Sequence, residues 1–351
     1  MDRRTRDHFA GCLLGGAVGD AMGAPVEAMS FHEIQTAFGV HGITRFARAF
    51  GKTGAITDDT QLMLFTAEGL VRAAGMHREK GECHLPSVLR RAYLRWSGTQ
   101  GEFYYDSAFP AQHDGWLYSI EELHFRRAPG TTCFAALAEE RAGTMEEPVN
   151  HSKGCGAVAR IAPVGLVAAE PFSLGCEIAA LTHGHPSAYL AAGSLAHLMS
   201  EIANGRELSD AVGSAREELA RWPSHEECAK VIDAAVGLAG KGSSVQDPIG
   251  MIGRGIAAEE ALAISIFCAL TAEDFAGGVL RSVNHGGDSD ATGCITGSIL
   301  GTLWGKQAIP EGWLEVLELR EVIEEVAGDL HSCFVEQACT SVNWAAKYPP
   351  W

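Results

Sequence analysis

The chain has 351 residues, 46% of them apolar and 20% charged, which argues against disorder and provides enough apolar surface for a sizeable core. Its formal net charge of -17, from 27 Lys and Arg against 44 Asp and Glu, argues against the broad basic footprint that nucleic-acid binding requires. The ten cysteines form no CxxC pair, the charged start from Met1 to Ala10 is not signal-like, and no apolar run reaches the roughly 18 residues of a membrane span. The expectation is a reduced, cytoplasmic protein with no nucleic-acid or membrane partner.

In chain order, most segments read as helix. The first is apolar and carries glycine at every fourth position: Gly11, Gly15, Gly19 and Gly23. Each glycine costs a helix about 1 kcal/mol against alanine, so such a stripe needs a packing reason, here the close approach of another backbone. Gly42 to Phe46 is ambiguous between strand and coil. Ile56-Thr57-Asp58-Asp59-Thr60 then opens a helix, with Thr57 or Asp58 as its N-cap. One carboxylate would satisfy that cap and the helix dipole; two, flanked by hydroxyls, also suit a cation. Leu85, Val88, Leu89, Ala92, Tyr93 and Trp96 mark an amphipathic helix.

Punctuated loops cover 108–115, 126–132, 150–156 and 241–250. The loop from Asn150 to Gly156 is small and rich in backbone amides, which suits an anion or a plain surface loop. His183 and His185 alternate, but no further pair completes a zinc site, and Pro186 suits the first turn of the next helix, with His185 near its cap. Asn284 to Gly293 places Asp288 and Asp290 on a glycine-supplied turn. Oxygen donors of this kind favour Mg²⁺, Ca²⁺ or Mn²⁺, and the later ligands of an EF-hand are absent. A second stripe follows at Gly293, Gly297, Gly301 and Gly305. The sequence is therefore expected to form an all-α fold, with residues 1–351 as a single compact domain whose two acidic turns converge.

Three pieces in order, Gly15-Gly16-Ala17-Val18-Gly19-Asp20-Ala21-Met22-Gly23, Thr57-Asp58-Asp59-Thr60 and Gly286-Gly287-Asp288-Ser289-Asp290, resemble the ADP-ribosylglycohydrolase family. Asn150 to Gly156 with Arg160, and Leu181 to Pro186, extend the resemblance over nearly the whole chain. It implies a multi-helix fold around two Mg²⁺ ions (or Mn²⁺), with Thr57, Asp58, Asp59, Asp288 and Asp290 as ligands. Glu27 occupies the position of a conditional ligand or catalytic carboxylate, and Asp58 or Asp59 is the alternative base. Ser152, Gly154, Cys155 and Gly156 would contact the pyrophosphate and His185 the ribose. Asp106 and Asp114 would face the scissile group or solvent, and Trp116 would stack on adenine or pack in the core.

One departure is Ala291, where relatives usually carry Ser or Thr directly after the second Asp. The implied reaction releases ADP-ribose from an ADP-ribosylated protein, with N-linked ADP-ribosyl-arginine as first choice. A serine-linked substrate, a non-catalytic ADP-ribose-binding protein and a nucleotide phosphoesterase are the alternatives.

Overall fold

The computed structural model describes residues 2–104, 113–241, 247–338 and 342–349. Its helices are α1 (Arg6–Gly23), α2 (Phe31–Phe38), α3 (Asp58–Lys80), α4 (Leu85–Thr99), α5 (Thr131–Leu137) and α6 (Gly156–Ala159). They continue with α7 (Ala162–Val167), α8 (Pro171–Ala180), α9 (Pro186–Ala203), α10 (Leu208–Leu219), α11 (Glu226–Ala239) and α12 (Pro248–Ile252). The last six are α13 (Ala258–Leu270), α14 (Phe275–Val283), α15 (Ser289–Trp304), α16 (Glu311–Leu314), α17 (Arg320–Phe334) and α18 (Val342–Lys347). Among the described residues the strands are β1 (Arg48–Ala49) and β2 (Lys52–Thr53), which pair antiparallel around Phe50-Gly51. The fold is all-α.

The helices at the centre are α1 and α15. Every residue of α1 from Phe9 to Gly23 is buried, as is every residue of α15 from Ser289 to Leu303. A helix apolar on all sides lies inside its protein, and here the glycines let two such helices touch. A Cβ on Gly11 would lie 2.3 Å from the Gly301 carbonyl oxygen, one on Gly15 2.3 Å from that of Gly297, and one on Gly19 1.9 Å from that of Gly293. The stripes therefore face each other antiparallel, residue by residue. Around this pair, α3, α14 and α17 pack on α1, while α13 and α14 pack on α15. One apolar core runs from Phe9 through Leu195 to Leu330 and Tyr348.

The antiparallel register has a functional consequence. It brings the C-terminal end of α1, with Asp20, to the N-terminal end of α15, with Asp290. Asp20 also reaches the start of α3, so three helix ends meet at one place.

Gly42 to Phe46 is coil. The Ile43 N–H donates to Asn284 Oδ1 (2.8 Å) and the Ile43 carbonyl accepts from Asn284 Nδ2 (2.9 Å), so one side chain satisfies both backbone groups in place of a strand partner.

Candidate carboxylate centre

Asp20 lies within α1 and is fully buried. Its carboxylate accepts from Thr57 N–H at 2.9 Å, from Thr60 N–H at 3.2 Å, and from the Thr60 hydroxyl. It thus takes amides that a helix start leaves unpaired and fixes where α3 begins. Burial raises its pKa to about 6, against the lowering effect of those hydrogen bonds. Asp20 lies inside the Gly15–Gly23 piece that carries the resemblance, but the sequence alone assigns it no role.

Thr57 is the N-cap of α3, and its side chain accepts from Asp59 N–H at 3.2 Å. Asp58 is half-buried; its N–H donates to the Arg127 carbonyl (3.1 Å), and its carboxylate accepts from Gly130 N–H (3.4 Å). The segment against it is conformationally costly, with Ala128 at φ 56°. Asp59 and Asp290 are buried, whereas Glu27 and Asp288 are half-buried.

These acids sense one another. Burial raises Asp58, Asp59 and Asp290 well above the usual carboxylate range, and neighbouring negative charges push the same way. For Asp59 those charges are Asp58, Asp20, Asp288 and Glu27; for Asp290 they are Asp288, Asp59, Glu27 and Asp20. Glu27 is raised by burial, then by Asp288 and Asp20. Among the described residues, no Lys or Arg forms an ion pair with any of these six acids, whereas acids elsewhere pair repeatedly. Buried carboxylates that repel one another call for positive charge from outside the chain.

The donor set is oxygen-only and hard, which fits Mg²⁺ or Mn²⁺ and not zinc. Among the described residues, however, no three His, Cys, Asp or Glu side chains are already gathered as a ready-made cage. The acids share a field without sharing a preformed coordination shell.

Ala291 is buried and brings no hydroxyl. Thr292 does not replace it, because its Oγ1 donates to the Ser282 and Asp288 carbonyls, both at 2.8 Å.

The 150–156 loop lies against this centre. Asn150 organises it through partners within the loop and beyond it. Its Nδ2 donates to the Thr182 carbonyl (2.8 Å), while its Oδ1 accepts from Ser152 N–H (2.9 Å) and Gly184 N–H (3.2 Å). An Asn opening a small loop is the available signal for such a turn. Ser152 Oγ accepts from Gly154 N–H at 3.4 Å and lies 3.2 Å from Thr132 Oγ1. The Cys155 N–H is committed to the Ile256 carbonyl (3.1 Å), and its thiol donates to Asp288 at 3.0 Å. Burial and the neighbouring acids hold that thiol protonated. A Cβ on Gly156 would meet open space.

His185 caps α9, its Nδ1 accepting from Ser187 N–H at 3.1 Å, and its own N–H donates to the Ser152 carbonyl at 3.2 Å. The histidine is thereby held to the loop. His183 is buried, which with Arg160 pushes its pKa down to about 3, so it stays neutral.

Other candidates stand elsewhere. Lys153 reaches Glu227 (2.6 Å) and Glu259 (2.8 Å) rather than offering its charge to a ligand. Asp114 pairs with Arg72 at 3.1 Å, beside the buried Glu68–Arg72–Arg95 network. Trp116 lies under Lys347, whose Nζ is 3.8 Å from the ring centroid. Asp106 lies outside the described residues.

Residues 1–339 match the model of the ADP-ribosylglycohydrolase family, and the chain belongs to it. It is 26% identical over 325 residues to the ADP-ribosyl-[dinitrogen reductase] glycohydrolase of Rhodospirillum rubrum, covering 90% of this chain and 92% of that one. An uncharacterised Archaeoglobus fulgidus protein is 28% identical over 333 residues, covering 93% and 96%. The mouse ADP-ribosylhydrolase ARH3 is 28% identical over 106 residues, 27% of this chain and 29% of the mouse protein. The solved structure of an ADP-ribosylglycohydrolase-related protein complex superposes with a TM-score of 0.66 at 25% identity, covering 94% of this chain and 98% of its own. No helix among the described residues is long and apolar enough to cross a membrane.

Proposed function

We propose that the chain is a Mg²⁺-dependent hydrolase that releases ADP-ribose from modified proteins, with N-linked ADP-ribosyl-arginine as substrate and residues 1–351 acting as one domain. The observation that carries this reading is the set of mutually repelling acids, Glu27, Asp58, Asp59, Asp288 and Asp290, to which no cationic side chain among the described residues is paired. The near-complete coverage by the Rhodospirillum rubrum relative supports protein-linked ADP-ribose. A strongly acidic site also suits a cationic guanidinium. Eight free thiols among the described residues, Cys12, Cys83, Cys133, Cys155, Cys176, Cys228, Cys268 and Cys294, suit a reducing, cytoplasmic location.

Thr57, Asp58, Asp59, Asp288 and Asp290 would hold two Mg²⁺ ions, with Mn²⁺ as a substitute. The chemistry supplied by such bound ions is neutralisation of the acids, orientation of sugar hydroxyls and a lowered pKa for water. The residues of the chain do the rest. Ser152, Gly154, Cys155 and Gly156 line the pyrophosphate, and His185, fixed by its cap and by Ser152, borders the ribose. Glu27, whose pKa is raised by burial and then by Asp288 and Asp20, takes the proton of the attacking water. The water oxygen bonds to ribose C1″ as the bond to the arginine nitrogen breaks. Glu27 then returns its proton to the departing guanidine, as carboxylates do in glycosidases. Asp58 and Asp59 are the alternative bases, since both are raised in the same way.

The test offers arginine-linked and serine-linked ADP-ribosyl proteins in parallel and follows free ADP-ribose. Release from the arginine conjugate supports the reading. Release from the serine conjugate alone overturns the linkage, and saturable ADP-ribose binding without release overturns the enzyme.

A further inference from the structure

Apart from the acids, the molecule has a cavity of about 1520 Å³ that none of the six acidic site residues lines. One wall is the Asn284-His285-Gly286 turn, which leads into Asp288. The floor is apolar and belongs to the smaller core formed by α11, α12 and α13, where Phe267 and Ile249 are buried. Leu280 adds to it from α14, and Phe31, 49% exposed at the start of α2, stands on the rim.

Two guanidinium groups line the same space. Arg281 donates from Nη1 to the Thr271 carbonyl (2.8 Å), and Arg254 donates from Nε to the Gly286 carbonyl (3.1 Å). Among the described residues, neither has a carboxylate within the 4.0 Å of an ion pair. The cavity does hold two acids. Asp247 is engaged in capping α12, where it accepts from Gly250 N–H at 3.0 Å, and Glu273 forms no ion pair with either arginine among the described residues. The wall therefore presents unneutralised forked donors above an apolar floor, a combination that matches an anionic head on an apolar body.

We propose that this cavity is a second ligand site, separate from the carboxylate centre, for an amphipathic organic anion: a carboxylate, sulfonate or phosphate carried on an aryl or acyl body. The anion sits on Arg281 and Arg254, and the apolar body lies on Phe267, Leu280 and Ile249.

The probe is 8-anilinonaphthalene-1-sulfonate, titrated into the full chain and followed by fluorescence. The result expected is saturable binding at one site per chain, weakened about tenfold or more in Arg281→Glu and in Arg254→Glu, and largely kept in Arg281→Lys. Arg281 and Arg254 are exposed, so the charge reversals leave the core intact; circular dichroism checks this. Saturating ADP-ribose should leave the probe in place. Unsaturable binding, equal affinity in wild type and both charge reversals, or displacement by ADP-ribose would each overturn the proposal. Because the readout is binding of the probe, a failure of the hydrolase reading leaves this result standing, and the converse holds.

Discussion

Gly19 and Gly293 meet backbone to backbone: a Cβ on Gly19 would lie 1.9 Å from the Gly293 carbonyl oxygen. The same contact recurs at Gly15 with Gly297 and at Gly11 with Gly301, so the central helix pair tolerates no side chain along this seam. Gly297→Leu should therefore destabilise the protein by roughly 4 kcal/mol or prevent folding, as overpacking against backbone does. Gly237 in α11 is the control, since a Cβ there meets nothing within 4 Å. Gly237→Ala should be neutral or stabilising by up to about 1 kcal/mol. Urea unfolding of both variants checks the contrast, and equal midpoints would refute it.

Asp20 gives a pH dependence with a definite sign. Its carboxyl binds a proton more tightly folded than unfolded, because burial raises it to about 6. The metal-free protein therefore loses stability as pH rises from the unfolded value near ~4 through about 6, and the penalty is complete above that. Asp20→Asn removes this titration. The amide also presents an NH₂ group toward Thr57 and Thr60, so the variant should be less stable at every pH. Thermal melting in EDTA between about pH 4.5 and pH 7.5 should show a steeper fall for wild type than for the variant. Parallel curves would contradict the role given to Asp20.

Cys155 acts through Asp288, to which its thiol donates. Cys155→Ser keeps a donor and should keep most activity and metal affinity. Cys155→Ala leaves Asp288 without that partner and should lower cation affinity about tenfold, the usual scale for a lost outer partner of a metal ligand. Magnesium titration of the two variants decides this; an alanine variant indistinguishable from wild type would remove the role.

Glu68 is fully buried between Arg72 Nη2 (3.0 Å) and Arg95 Nη2 (2.8 Å). Glu68→Gln leaves two buried guanidinium groups short of their shared countercharge, with Asp114 as the remaining acid. A loss of about 3 kcal/mol is expected in chemical denaturation. A loss below about 1 kcal/mol would mean the network is solvated after all.

Much of this site was legible in the sequence because its signals are local. The four-residue glycine spacing announced a helix–helix seam, and Thr57, Asp58, Asp288 and His185 stand at the helix starts their types favour. What escaped depends on distant partners. Asp20 looks like an interruption until the amides of Thr57 and Thr60 arrive to use it. The partners of Lys153, Glu227 and Glu259, lie 74 and 106 positions away, so its engagement cannot be read from its own loop. The Ile43 backbone could not be placed as coil from its own neighbours, because a side chain 241 positions away satisfies it.

The most direct test of the account is release of ADP-ribose from an arginine-modified protein by wild type in Mg²⁺, by wild type in EDTA, and by Asp290→Ala in Mg²⁺. The account predicts release in the first case and loss of at least about a hundredfold in the other two, as expected when chemistry depends on a bound cation. Undiminished release in EDTA, or full activity of Asp290→Ala, would contradict it.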